Sequence, residues 1–430
     1  MKRRIFCVTA LAVATMAAPA RAQDMKGMDH SQMDHGQMAD QPAPTGEIMT
    51  TDRRSSWSAG SGTSRLPGAE GTMHGFHAMS GDWMVMAHGY AWGVYTDQGG
   101  RRGDDKAYVQ SMAMLTAQGP VGDGVRLQLK SMFSLEQLMA ARGYPNLFAT
   151  GETANGQPLV DRQHPHDLFM ELAARVDVDV ADGTSLFLYG GPVGEPALGP
   201  SAFMMRRSAR YNAEAPITHH WFDSTHISYG VVTAGLSSGP FQIEGSAFRG
   251  REPDEARWNI ETPKLDSWSV RGTWNPTPNW SAQVSYGHLK SPEALHGDED
   301  ERRLTASLGY GDDRLSVTGA FSAKNRLPGA TLTAWLLEAN WNVRGPHTLF
   351  GRIENVENDE LFPEGDPLHG QGFRITKAQA GYAYRIPLGQ MFALALGGSG
   401  AVYDKPSALD AAYGRHPFGW TAFAKLSLGD

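Results

Sequence analysis

The chain has 430 residues, a formal net charge of −8 and 50 glycines, with 10% aromatic residues. This length predicts two or three globular domains or one large β-architecture, and the glycine and aromatic content favours an all-β chain rich in turns. The acidic balance argues against nucleic acid as a partner, because phosphate binding needs a basic surface. The one cysteine, Cys7, excludes a disulfide framework and a cysteine-based metal cluster.

Residues 1–22 have the pattern of a secretory signal peptide. Three basic residues precede a short apolar run from Ile5 to Ala18, and the sequence Ala20-Arg21-Ala22 offers a cleavage site flanked by small residues. We therefore expect export, a mature chain that begins at Gln23, and the loss of Cys7.

Residues 23–46 form a low-complexity tail, which we expect to be disordered and to lie in the periplasm. Its candidate metal ligands are Met25, Met28, His30, Met33, His35 and Met38. Thioether sulfur suits Cu(I) or Ag(I), and imidazole suits Cu(II), Zn(II) or Ni(II). The alternative is a solvated linker without a metal, but methionine is an oxidisable choice for an exposed tail. No cofactor is firmly assigned, and copper or silver ions are the candidates.

A Gly/Ser-rich lead-in covers residues 47–82, and a long series of alternating segments covers 83–430. Trp268, Val270 and Trp274, for example, alternate with polar residues, which is the period of two that is typical of β-strands. Sixteen segments follow this pattern, with fourteen to eighteen as the range: 83–96, 105–118, 124–137, 166–180, 184–191, 225–237, 240–250, 264–275, 279–290, 301–311, 313–324, 330–344, 346–357, 372–387, 389–402 and 417–428.

The connectors between these segments alternate between short and long. This alternation predicts a transmembrane antiparallel β-barrel in the outer membrane of a Gram-negative bacterium, with outer-membrane lipid as a partner. A membrane-spanning sheet must close, because lipid cannot satisfy an open backbone edge. The alternative is a large secreted β-sandwich or propeller. The run 190–200, rich in glycine and proline, indicates an ordered loop folded over or into the pore.

Two histidine groups lie where long connectors enter strands. Their candidate ligands are His164, His166 and Asp167 in the first group, and His219, His220, His226 and Asp223 in the second. The segments that these groups precede are the fourth and the sixth, so the groups could meet across the end of the fifth and form a nitrogen and oxygen site. Alternatively, the same residues hold loops in the lumen by hydrogen bonds. Ser224 and His226 also allow a weaker hydrolase hypothesis, which no nucleophile-elbow spacing supports.

Four runs of the chain resemble a poorly characterised family of bacterial outer-membrane barrels that are encoded beside copper and other heavy-metal resistance genes. These runs are 155–167, 187–200, 219–235 and 275–280. The tail is separately similar to the Met-Asp-His repeats of copper resistance protein B. The resemblance implies an outer-membrane location and a metal context, and it supplies no catalytic residues.

The sequence thus predicts a barrel that takes part in copper or related heavy-metal binding and tolerance and that is not an enzyme. Its tail captures soft metal ions, and its partners are lipid, metal ions and periplasmic metal-resistance proteins. One alternative is a passive or gated porin for a small solute, and a second is an outer-membrane lipid hydrolase.

Deletion of residues 24–40 tests the role of the tail. We expect the purified protein to bind fewer Cu(I) or Ag(I) ions per chain, because four thioethers and two imidazoles are removed. The measurement is the metal content per chain after equilibration. An unchanged metal content would remove the tail from the mechanism.

Overall fold

The computed structural model describes residues 56–71 and 75–429. The predicted signal peptide and the Met/His tail, with Met25, Met28, His30, Met33, His35 and Met38, lie outside the described residues. No helix within the described part of the chain is both long and apolar enough to cross a membrane.

Sixteen antiparallel strands form a closed barrel. They are Trp83–Gln98, Asp104–Gly122, Val125–Phe133, Phe169–Ala181, Thr184–Gly194, Ser228–Ser238, Phe241–Phe248, Ser267–Trp274, Trp280–Leu289, Asp300–Gly311, Leu315–Leu327, Thr331–Arg344, His347–Asn358, Phe373–Leu388, Phe392–Asp404 and Phe418–Leu428. Each of the sixteen predicted segments corresponds to one of them, so the predicted barrel is confirmed. Every second connector, beginning with 123–124, lies at one end of the barrel, here called the turn end, and each of these has at most five residues. The other connectors meet at the opposite end, the loop end, and they are long except for 99–103 and 328–330.

The ring closes through Trp83–Gln98, whose free edge takes two partners. The last strand, Phe418–Leu428, pairs along it from Gly89 to Gln98. The short strand Phe76–Ser80 continues the same edge towards the turn end and pairs with residues 83–87. The two partners together leave no open edge at this seam, as a sheet immersed in lipid requires.

The strands place apolar side chains outside and polar side chains inside. In Ser267–Trp274 exposed and buried residues alternate strictly, with Trp268 and Val270 exposed while Ser269 and Arg271 are buried. Aromatic pairs flank the apolar band. Phe241 stacks on Trp274 at the turn end with ring centroids 6.2 Å apart. This is the arrangement expected of a wall that faces lipid and encloses a polar lumen.

Three segments fill the lumen. Residues 57–71 enter near the turn end, and connectors 134–168 and 195–227 fold inward from the loop end; most of their side chains are buried. The lead-in that composition alone assigned to 47–82 therefore supplies part of the barrel interior. Connector 195–227 folds into the lumen, as the Gly/Pro-rich run 190–200 indicated.

The inward segments and the other loop-end connectors contain only short elements. The strands are Trp57–Ala59 with Arg65–Pro67, Tyr144–Pro145 with Arg162–Gln163, and Glu152–Ala154 with Gln157–Leu159. The α-helices are His219–Phe222 and, in another connector, Asp410–Tyr413. The 3₁₀ turns are Gly68–Glu70, Glu136–Met139, Phe203–Met205, Arg207–Ala209, Ser224–His226, Ala294–His296 and Ser407–Leu409.

Buried ion pairs attach segment 195–227 to the wall. The Glu338 carboxylate, on the wall, lies 2.6 Å from the Arg206 guanidinium of the segment and 3.0 Å from Arg352 of the wall. Glu214 of the segment pairs with the wall residue Lys377 at 2.9 Å. A buried charge is tolerated only when it is paired, so these contacts fix where the segment lies.

The segment 57–71 is attached to the wall by similar contacts. The Thr63 hydroxyl donates to the Glu244 carboxylate and accepts a hydrogen bond from Arg271. Ser61 lies against Ser201, with 3.1 Å between the two hydroxyl oxygens. The segment therefore bridges the wall and the inward connector 195–227.

The substitution Glu338→Ala tests this attachment. Because it leaves two buried arginines without their shared carboxylate, we expect the free energy of unfolding to fall by roughly 3–5 kcal/mol. The matched control is Asp179→Ala, which removes an exposed carboxylate paired with Arg126 and should cost about 0–1 kcal/mol. Denaturant titration of both variants in the same detergent measures the difference. Equal losses would contradict the role assigned to Glu338.

Candidate metal centre

Five buried histidines meet in the lumen at the loop end. His164 and His166 precede strand Phe169–Ala181, whereas His219, His220 and His226 precede strand Ser228–Ser238. Strand Thr184–Gly194 pairs with both of these strands, so the two connectors are carried to the same place. The ring centroids of His166 and His226 are 5.2 Å apart, and those of His219 and His226 are 5.1 Å apart. We call these five residues the histidine cluster.

Two histidines of the cluster are oriented by carboxylates. His166 Nδ1 lies 2.8 Å from the Glu136 carboxylate, and His219 Nδ1 lies 2.7 Å from the Asp223 carboxylate. An ionised carboxylate only accepts hydrogen bonds, so each Nδ1 carries the proton. The Nε2 atom of a neutral ring then presents its lone pair on the opposite side.

Two further histidines are oriented by backbone carbonyls. His164 Nδ1 lies 3.0 Å from the Pro165 oxygen, and His226 Nδ1 donates to the Asp223 oxygen at 2.7 Å. The Nε2 atoms of His166 and His226 are buried and have no hydrogen-bond partner within the described residues, whereas His164 Nε2 faces the Glu152 carboxylate. Histidines that bind a metal characteristically donate the other ring nitrogen to a carboxylate or carbonyl, which is the arrangement found here.

Carboxylates also face further ring nitrogens of the cluster. His164 Nε2 lies 3.0 Å from the Glu152 carboxylate, so both ring nitrogens of His164 face an oxygen acceptor. A neutral ring has only one proton for these two acceptors, and a metal cation could occupy the second contact. His220 Nδ1 similarly lies 3.2 Å from Glu252. One ligand atom each from Glu152, His220 and Glu252 lie within 4.8 Å of one another, and the same holds for His164, His219 and His220.

Burial keeps three rings of the cluster neutral near pH 7. It lowers the pKa of His164 to about 4, although Glu152 acts in the opposite direction. Burial likewise lowers the pKa of His219, and it lowers that of His226 well below its usual value. A neutral imidazole has the lone pair that a metal requires.

The other two rings, His220 and His166, have a raised pKa, which favours their charged form. Burial acts to lower the pKa of His220, but the Glu252 carboxylate outweighs it and raises the pKa to about 9. Glu136 likewise outweighs burial and raises the pKa of His166. A metal that binds these rings therefore has to displace a proton, so its binding is expected to release protons.

The predicted ligand Asp167 lies apart from the ring nitrogens. Its two carboxylate oxygens accept hydrogen bonds from the Tyr229 hydroxyl at 2.6 Å and from Arg257 at 3.2 Å. The acids that contact the rings are Glu136, Glu152, Asp223 and Glu252, and of these the sequence singled out only Asp223. The other three stand in connectors without a metal-ligand motif.

Gly151 allows the close approach of the His220 ring. Its φ of 103° lies in the region that favours glycine, and an added Cβ would stand 2.7 Å from Cγ and Nδ1 of His220. This glycine therefore places the ring beside the backbone of connector 134–168.

The geometry expected for a serine hydrolase is not found at Ser224. The predicted segment 225–237 begins as a strand only at Ser228, and residues Ser224–His226 form a 3₁₀ turn. The Ser224 hydroxyl accepts a hydrogen bond from Arg303 at 3.0 Å, and His226 Nδ1 is used by the Asp223 carbonyl. The predicted start of this strand at residue 225 was wrong, because the chain turns at Ser224–His226, so Ser224 and His226 do not share a strand face there.

The fold is shared with outer-membrane porins of known structure. A Salmonella typhi OmpF complex with daunomycin superposes with a TM-score of 0.53 at 9% identity, covering 82% of this chain and 100% of that one. An anion-selective porin from Comamonas acidovorans gives a TM-score of 0.52 at 13% identity, covering 80% of this chain and 99% of that one. At these identities the likeness establishes the barrel fold and nothing finer.

Sequence comparison adds little to this. No family model matches the chain. Phosphoserine aminotransferases of Bordetella pertussis and Bordetella parapertussis are 29% identical to it over 174 residues, which is 38% of this chain. The chain spans 41% of the length of these curated relatives, so the match does not establish a family.

The ring orientations lead to a prediction about the metal-free protein. Nitrogen-15 NMR should show that the neutral rings of His219 and His226 carry the proton on Nδ1, because their Nδ1 atoms face the acceptors Asp223 Oδ1 and the Asp223 carbonyl. Between pH 7 and pH 5 the His164 ring should stay neutral, since its pKa is lowered to about 4. Single His→Gln variants assign the signals, and the exposed His416 is the control. A proton on Nε2 of His226 would contradict the assignment.

Proposed function

We propose that this protein is an outer-membrane barrel that binds copper or a related heavy metal and contributes to metal tolerance. The histidine cluster holds the ion in the lumen at the loop end. The Met/His tail captures soft metal on the periplasmic side.

The observation that carries the proposal is that buried histidine ring nitrogens in the lumen have no hydrogen-bond partner. The buried Nε2 atoms of His166 and His226 have no hydrogen-bond partner among the described residues, and leaving such a group unpaired costs about 1–3 kcal/mol. A bound cation would satisfy each nitrogen that it contacts. Imidazole nitrogen with nearby carboxylates suits Cu(II), Zn(II) or Ni(II).

The protein environment also suits a resident cation. Glu136, Glu152, Asp223 and Glu252 contact the rings. Arg257 pairs with Glu152 at 3.2 Å and Arg206 with Asp223 at 3.1 Å, whereas Glu136 and Glu252 lie against His166 and His220. The cluster is thus a nitrogen-rich site with negative charge around it, which favours a divalent cation.

Substitution of His166 and His226 by glutamine tests the proposal. The double variant should lose about one bound Cu(II) or Zn(II) per chain, because both inward lone pairs are removed. Metal content of the purified full chain measures the effect, and circular dichroism verifies that the barrel has formed. The matched control, His416→Gln, changes an exposed histidine and should leave the metal content unchanged. The proposal fails if the double variant keeps the wild-type content.

The same variants test tolerance in cells. A strain that lacks the gene should be more sensitive to copper, and the wild-type gene should restore growth better than the double variant does. Restoration by the double variant to the wild-type level would separate metal binding from tolerance.

A gated porin is the second candidate, because the barrel has the fold of porins. Three segments fill the lumen in this structure, so solute passage would require movement of at least one of them. Planar-bilayer conductance separates the two functions. Conductance for small solutes that copper does not alter, together with unchanged metal content in the double variant, would favour the porin.

A further inference from the structure

A cluster of methionines lines the lumen between the turn end and the histidine cluster. Seven of the nineteen methionines of the chain belong to it: Met86, Met112, Met114, Met132, Met170, Met204 and Met205. We call these residues the methionine cluster. They come from four neighbouring wall strands and from the inward connector 195–227.

The register of the wall brings several of these sulfur side chains side by side. Met114 stands directly opposite Met132 on one neighbouring strand and opposite His88 on the other. Side chains at directly opposed positions on one face have Cβ atoms about 4.5–5.5 Å apart. Sulfur and imidazole donors thus stand together on the inner wall.

Two cavities reach this cluster from the turn end. One is lined by His77, Met84, Met86 and Met114, and the other by His88, Met204 and Met205. Segment 57–71 contributes Ala59 to the lining of both. The Met/His tail, residues 23–46, ends ten residues before this segment in the sequence.

The other side of the cluster adjoins the histidine cluster. Ile227, which follows His226, belongs to the same group of packed residues as the methionines. Met205 lies two residues after Phe203, whose ring centroid is 5.4 Å from that of His219 and 6.1 Å from that of His166. The methionine cluster therefore occupies the space between the turn-end cavities and the proposed metal centre.

Ordinary core packing does not account for this concentration. A second, larger apolar cluster in the barrel is built from residues such as Leu336, Phe148 and Ile375, and it holds no methionine among its described members. A third apolar cluster contains one methionine, Met139, among its described members. Leucine fills similar volume between a wall and an inward loop, so packing alone does not select thioethers at seven adjoining positions.

We propose that the methionine cluster binds soft monovalent metal ions, Cu(I) or Ag(I), and links the turn end of the barrel to the histidine cluster. Neutral thioethers select soft cations over Zn(II) or Ni(II). A row of weak sulfur sites also permits an ion to move from one to the next. Copper would reach the histidine cluster as Cu(I), without a change of oxidation state, because imidazole also binds copper. This inference rests on the proposed metal function and names the ion and the route that serve it.

The test uses the full chain with its methionine methyl groups labelled with carbon-13. Silver(I) is titrated into the purified protein in detergent, and the methyl signals are assigned with single Met→Leu variants. We expect the signals of Met112, Met114 and Met132 to shift as Ag(I) binds. The double variant Met114→Leu/Met132→Leu should bind Ag(I) at the lumen site at least tenfold more weakly. Met139→Leu, a buried methionine outside the cluster, is the control and should leave the affinity unchanged.

The outcomes separate this inference from the proposed function. If only the tail methionines respond to Ag(I), the lumen route is overturned, whereas loss of Cu(II) in the His166 and His226 variant would still support the metal centre. If Ag(I) shifts the lumen signals but that variant keeps its Cu(II), the methionine site stands and the histidine site fails. If the double variant does not fold, the single variant Met114→Leu takes its place in the Ag(I) titration.

Discussion

The closed hydrogen-bond ring of the wall is the constraint on which the rest of the structure depends. Because Trp83–Gln98 pairs with the last strand and with Phe76–Ser80 along one edge, the sheet has no open seam there. Lipid-facing positions must then be apolar, and every second side chain points into the lumen. The polar and charged residues collected there, such as Arg271, Arg352 and Lys377, have to find partners inside the barrel.

The inward segments supply these partners, and in doing so they acquire fixed positions. Glu214 and Arg206 of connector 195–227 pair with charges of the wall, and Thr63 of segment 57–71 joins Glu244 and Arg271. Connector 195–227, which carries His219, His220 and His226, is fixed in this way. Connector 134–168, which carries His164 and His166, is held by Asn146, whose side-chain oxygen accepts a hydrogen bond from Lys377. The lumen thus carries imidazole nitrogen on its inward segments at one level, and thioether sulfur, mainly on the wall, at another.

The two kinds of donor suit different roles in the proposed metal path. The histidine cluster has fixed hydrogen-bond partners on Nδ1 and free nitrogens on the other side, which suits an ion that is held. The methionine cluster has neutral, flexible side chains, which suit an ion that moves. The outer-membrane porins that share the fold establish only the barrel, so the contents of this lumen set the function proposed here.

The sequence by itself determined the sixteen strands, because a two-residue alternation of apolar and polar side chains is a local property that each segment displays alone. It also predicted that the two histidine groups lie at the same end of the barrel, because the two strands that they precede flank a single strand. Only the tertiary structure decided the rest. Glu136, Glu152 and Glu252 carry no motif, the turn at Ser224–His226 replaces the first residues of a predicted strand, and residues 57–71 have the composition of a linker. Met204 and Met205 are adjacent, Met112 and Met114 stand at alternate positions, and the other methionines of the cluster stand singly. They become one surface only because ring closure and the buried charges of the lumen bring distant segments together.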